Sequence, residues 1–110
     1  MRILNLTVNK HWFDMIISNV KKEEYREIKD HWKSRLCDYD IVSINNTSPL
    51  RKFIGYKKFD AVAFRNGYAK NAPEITLEFK GIEVGIPKPE WSGGLFEGEV
   101  FIIKLGGIIK

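Results

Sequence analysis

Apolar and polar residues alternate from the start of the chain. In Ile3-Leu4-Asn5-Leu6-Thr7-Val8, the residues Leu4, Leu6 and Val8 share one face, which predicts a strand with one buried side. The period then changes. Trp12, Met15 and Ile16 recur at helical spacing, widened by Phe13 and Ile17, and predict a helix over 10–18 with Asn9 as its N-cap. Asn19 stands where that helix should stop, and Asn follows Gly in accepting the left-handed conformation of a C-terminal cap. After Val20-Lys21-Lys22, residues 23–28 read as a charged strand with Glu24, Arg26 and Ile28 on one face. Asp30 is placed to cap a second short helix over 31–36, where Trp32 and Leu36 lie one turn apart. Residues 40–44 read as a strand and 45–49 as a loop. Residues 50–58 read as a solvated loop that mixes four cations with two aromatics. Ala61–Phe64 is a further strand, and Asn66-Gly67 is a turn signal.

Residues 74–86 are more informative. Ile75, Leu77 and Phe79 occupy odd positions, whereas Ile82, Val84 and Ile86 occupy even ones. The phase slips at Lys80-Gly81, and a β-bulge there would bring both sets to one face and bend the strand, as a small curved barrel requires. Pro87, Pro89 and Gly93-Gly94 break the chain, with Ser92-Gly93-Gly94 read as a hairpin loop. Residues 99–105 form a last strand that is apolar on both faces. The order β-α-β-α, then mostly β, predicts a mainly-β α+β fold: a small barrel-like sheet with one or two flanking helices.

Composition adds limits. A chain of 110 residues, 44% apolar and 13% aromatic, suits a single ordered domain spanning 1–110. Cys37 has no partner for a disulfide within the chain. No apolar run approaches the roughly 20 residues of a spanning helix. The first residues do not read as a signal peptide, so a reduced cytoplasmic setting without a membrane partner is expected. The net charge of +4 is uneven: residues 1–58 carry twelve Lys/Arg against seven Asp/Glu, and residues 59–110 carry six against seven. A basic half suits an anionic partner such as a nucleic acid.

Much chemistry is missing. His11, His31 and Cys37 show no metal-ligand spacing, so neither a metal nor a cofactor is expected. Cys37 reads as structural. Ser92-Gly93-Gly94 is flanked by Glu90, Glu97 and Glu99, which would repel a phosphate. What remains is the turn and strand after the first helix, Asn19-Val-Lys21-Lys-Glu-Glu24-Tyr25-Arg26. Glu24 and Arg26 share a strand face and Lys21 stands at the helix exit, which groups an ammonium, a carboxylate and a guanidinium. Arg can fork onto a carboxylate or phosphate. A desolvated Lys beside a carboxylate can move a proton or act as a nucleophile. Such a group also suits an ordinary solvated strand with ion pairs.

This stretch resembles the G-x-K-x-x-E-x-R motif of the ASCH domain family, within the PUA-like superfamily. The likeness to small bacterial and phage members spans nearly the whole chain. It takes in Trp12–Ile16, Lys21 with Glu24–Ile28, Phe59–Tyr68, Phe79–Ile82 and Phe101–Leu105. Asn19 replaces the motif Gly, a mild change because both tolerate the left-handed cap. The resemblance implies a PUA-like β-barrel with a cleft beside Lys21, Glu24 and Arg26, and RNA or a nucleotide as the partner.

Two functional classes follow. In the first, the domain binds RNA, a nucleotide or a modified nucleoside: Lys21 and Arg26 meet phosphate or a base edge, and Glu24 accepts from an exocyclic amine. Tyr25 falls on the other strand face, so stacking is assigned to Tyr56, Tyr68 and Trp91 from loops, with Arg51, Lys52, Lys57 and Lys58 extending the basic rim. In the second, the chain is an enzyme. One related group deacetylates acetylated cytidine with the motif Lys, but carries Thr where this chain has Glu24. Lys21 and Glu24 would then be catalytic, joined by a later carboxylate from among Glu74, Glu78 and Glu83. Ribonuclease activity is a further enzymatic possibility raised by the resemblance.

Overall fold

Leu4, Leu6 and Val8 are buried on one side of strand β1, Ile3–Val8, as their alternation requires. Asn9 ends the strand and caps helix α1, Lys10–Ile17, by accepting from the Trp12 amide at 3.1 Å. The helix buries Phe13 and Ile16 and leaves Trp12 and Met15 half-buried. The buried stripe is therefore turned by one position from the expected one. Asn19 takes φ 64°, so the chain reverses and the amides of both Val20 and Lys21 return to the Met15 carbonyl at 3.0 Å. Strand β2, Glu23–Arg26, follows at once.

The computed structural model describes residues 1–42 and 50–110. The expected loop at 45–49 and the last residues of the strand expected at 40–44 lie outside the described residues. The chain divides into two compact units, Met1–Glu27 with Lys58–Lys110, and Ile28–Lys57.

The first unit is built on β1, β2, β5 (Ala61–Asn66), β6 (Glu74–Gly85) and β7 (Val100–Ile108). These form one sheet in the order β1-β5-β6-β7-β2, curled as a half-barrel, with β1 parallel to β5 and the other neighbours antiparallel. β1 and β2 are thus its two edges. The core gathers Phe64, Leu77 and the run Val100–Ile103, all buried, and burying each such side chain contributes about 1.5–3 kcal/mol. β6 shifts register between Phe79 and Gly81, and Gly81 takes φ 126°, a conformation that side-chain-bearing residues rarely adopt. The expected bulge is present. Burial fades beyond it: Ile75 and Leu77 are buried, Ile82 is half-buried, and Val84 and Ile86 are exposed.

Ser92-Gly93-Gly94 is not a hairpin loop. Pro89–Ser92 forms a short helix, α3, and Gly93 ends it in the left-handed conformation. Pro at the first helical position has no amide to leave unpaired, which favours a helix start there.

The second unit holds helix α2, Asp30–Leu36, and the antiparallel strands β3, Cys37–Val42, and β4, Leu50–Tyr56. Three expectations are corrected. Lys29, not Asp30, is the N-cap, and Asp30 sits in the first turn, where its charge favours the helix dipole. β3 begins three residues earlier than expected. The basic stretch at 50–58 is mostly strand, since a two-stranded hairpin leaves β4 open to solvent and its cations remain hydrated there.

Candidate functional site

Lys21, Glu24 and Arg26 meet at the seam between the edge strands. The reversal at Asn19 brings Lys21 beneath α1, where its side chain is 2% exposed. Lys21 Nζ donates to the Trp91 carbonyl and lies 3.3 Å from Glu24 Oε1. It also sits 4.2 Å from the centre of the Trp12 ring and 5.3 Å from that of Tyr25, so two aromatic faces replace part of its hydration. Glu24, also buried, accepts from the Tyr25 amide at 3.2 Å through Oε1. Through Oε2 it accepts from Arg26 Nη2 at 2.8 Å. The same Nη2 donates to the Thr7 carbonyl at 3.2 Å. Arg26 therefore ties β2 to β1, the opposite edge of the sheet.

These groups line a cavity of about 200 Å³. Trp12, Tyr25, Trp91 and Phe96 supply its aromatic wall, and Thr7, Asn9 and Ser92 add polar atoms. Behind the wall, Tyr25 packs with Val100 and Ile102, and Trp91 and Phe96 close on them. The rings of Tyr25 and Phe96 meet edge to face at 6.3 Å. The Tyr25 hydroxyl donates to Glu23 Oε1 at 2.7 Å and accepts from the Lys88 amide at 3.1 Å, which fixes the start of α3 against β2.

Burial pushes the Lys21 ammonium below its ordinary pKa. Glu24 opposes that shift and Arg26 adds to it. Burial likewise pushes the Tyr25 phenol above its usual range, so Tyr25 stays a neutral donor. One carboxylate faces two cations, and the cluster favours an electron-rich or anionic guest. Glu24 receives three contacts of the roughly four its two oxygens accept, and Lys21 directs two of its three N–H bonds at protein oxygens.

The other sequence-derived residues fall as follows. Trp91 lines the cavity. Tyr68 lies in the turn after β5, 89% exposed, and does not line it. Tyr56 belongs to strand β4 of the second unit, not to a loop, as do Arg51 and Lys52. Tyr25, expected on the opposite strand face from Glu24 and Arg26, also lines the cavity. The later carboxylates are engaged elsewhere. Glu74 lies 3.8 Å from Arg65, Glu78 accepts from the Gly107 amide, and Glu83 pairs with Lys104 at 3.0 Å. Among the described residues lining the cavity, Glu24 is the one carboxylate. Sequence reasoning missed Trp12 and Phe96. Trp12 reads in the sequence as part of the helix's apolar stripe, which hides its place in the cavity wall, and Phe96 lies in an irregular segment.

Among the described residues, no group of three or more His, Cys, Asp and Glu side chains could hold a metal ion, and no helix is long and apolar enough to cross a membrane. Cys37 is buried, and burial pushes its thiol pKa up, which lowers its reactivity. In comparisons with protein-family models, curated proteins and solved structures, nothing matches the chain.

Proposed function

We propose that the seam cavity binds a nucleobase or modified nucleoside, free or within RNA, as an ASCH-like domain would. The observation that carries this reading is a buried Lys–Glu–Arg cluster set in an aromatic-walled cavity. Small-molecule pockets commonly span about 300–1,000 Å³. A volume near 200 Å³ suits one planar ring system better than a whole dinucleotide. The aromatic wall offers stacking, worth about 1–3 kcal/mol per base. Glu24 matches an exocyclic amine, and Lys21 matches a ring carbonyl or phosphate. The resemblance in the Lys21, Glu24 and Arg26 motif supports the same partner.

A second reading is enzymatic. Lys21, poised below its ordinary pKa beside Glu24 at 3.3 Å, is suited to proton transfer at an acetylated cytidine amide or an RNA phosphodiester. One experiment separates the two. Nucleosides, nucleotides and acetylated cytidine are titrated calorimetrically into the wild type and Lys21→Met, and each mixture is then assayed for product. Binding without turnover, lost at least tenfold in Lys21→Met, is the expected outcome. Turnover that disappears in Lys21→Met would establish the enzymatic reading. No heat with any compound would overturn both.

A further inference from the structure

The second unit carries a surface that the seam cavity does not use. Ile28–Lys57 holds six Lys/Arg against three Asp/Glu, whereas the first unit holds twelve against eleven. Three of the four net positive charges therefore lie in the smaller unit. Its hairpin sorts side chains by face. Tyr39 lies opposite Phe53 and Ile41 opposite Arg51, while Asp40 lies opposite Lys52 on the other face. The alternation sends both β3 carboxylates, Asp38 and Asp40, away from the aromatic face.

On that face the Arg51 guanidinium lies 4.2 Å from the centre of the Tyr39 ring. Tyr39 meets Phe53 at 6.0 Å, and Phe53 meets Tyr56 at 5.1 Å, both edge to face. Phe53 is 48% exposed and Ile41 74%. An exposed apolar row by itself suits many partners. Here it is led by a guanidinium, has both β3 carboxylates on the opposite face, with Asp30 of α2 the acidic group that acts on Tyr39, and is set in the part of the chain with the cationic excess. Rings that stack bases, with cations beside them for the backbone, are what single-strand binding requires. We propose that the Arg51, Tyr39 and Phe53 face of the hairpin binds single-stranded nucleic acid, independently of the seam cavity.

The test is fluorescence polarisation of a labelled uridine oligonucleotide about ten nucleotides long, within the range of small single-strand sites. Wild type, Phe53→Ala, Phe53→Trp and Arg51→Ala are compared over a salt series, with folding checked by circular dichroism. Phe53→Ala is expected to weaken binding about 5- to 150-fold, as the loss of one stacked base requires. Phe53→Trp should retain binding. Arg51→Ala should flatten the slope of log affinity against log salt by about 0.7, one phosphate on a single strand. Mononucleotide binding should be the same in wild type and Phe53→Ala, so failure at the hairpin is distinguishable from failure at the seam. Equal oligonucleotide affinity in wild type and folded Phe53→Ala would overturn the proposal. So would concentration-dependent dimerisation that Phe53→Ala abolishes without any oligonucleotide binding, because the face would then dock a second copy of the chain.

Discussion

Lys21 is the residue on which structure and chemistry converge most closely. Its ammonium is held by the Trp91 carbonyl, the Glu24 carboxylate and two aromatic faces, in a place where water is largely excluded. Exchanging it for Met keeps the apolar stem and leaves the Glu24–Arg26 pair intact. Removing one partner of a buried ion pair commonly costs about 3–5 kcal/mol, and the surviving Arg26 contact, which keeps Glu24 compensated, places Lys21→Met toward the low end of that range. The sign of the pH dependence follows from the lowered pKa. The folded chain releases the Lys21 proton at lower pH than the unfolded chain, whose Lys titrates near 10.5. Between the folded pKa and about 10.5 the unfolded state holds more protons, so stability gains with rising pH. Urea unfolding of the wild type and Lys21→Met from pH 7 to 10.5 should show the wild type gaining relative to the variant as pH rises. A constant difference would mean that Lys21 is not destabilised in its charged form.

The link between α1 and β2 sets the geometry of that residue. Asn19 at φ 64° turns the chain so that two successive amides close on Met15, and this reversal places Lys21 beneath the helix. A left-handed residue other than Gly costs about 1–2 kcal/mol, which Asn bears better than Ala. Asn19→Ala should therefore lower the unfolding free energy by about 1 kcal/mol, and Asn19→Gly should not, as read by denaturant midpoints. β1, α1 and this reversal were legible in the sequence because each depends on neighbours within a few residues. The phase slip at Gly81 was legible for the same reason. β4 was not, because a hairpin exposed on both faces shows no burial period and its cations resemble those of a loop. α3 was too short to display one. The triad of Lys21, Glu24 and Arg26 could be grouped from spacing, but its burial could not. The acceptor on Lys21 comes from Trp91, seventy residues away, and the wall depends on Phe96 folding back onto Tyr25.

Across the whole molecule, charge and chemistry separate. The basic excess in the first half of the sequence belongs mostly to Ile28–Lys57, while the unit that bears the triad is nearly neutral. The triad is thus a local cluster rather than part of a broad positive field. The net positive charge lies with the hairpin unit, and the buried cluster with the other. The three tryptophans make this division measurable: Trp12 and Trp91 line the seam cavity, and Trp32 lies on α2 of the other unit. The most direct test follows the three indole N–H resonances in a ¹H–¹⁵N NMR titration with a panel of nucleosides and mononucleotides. Binding at the seam should shift the Trp12 and Trp91 signals together and saturably, with Trp32 unmoved. No shift with any compound, or a shift of Trp32 alone, would contradict a nucleotide-like guest in the seam.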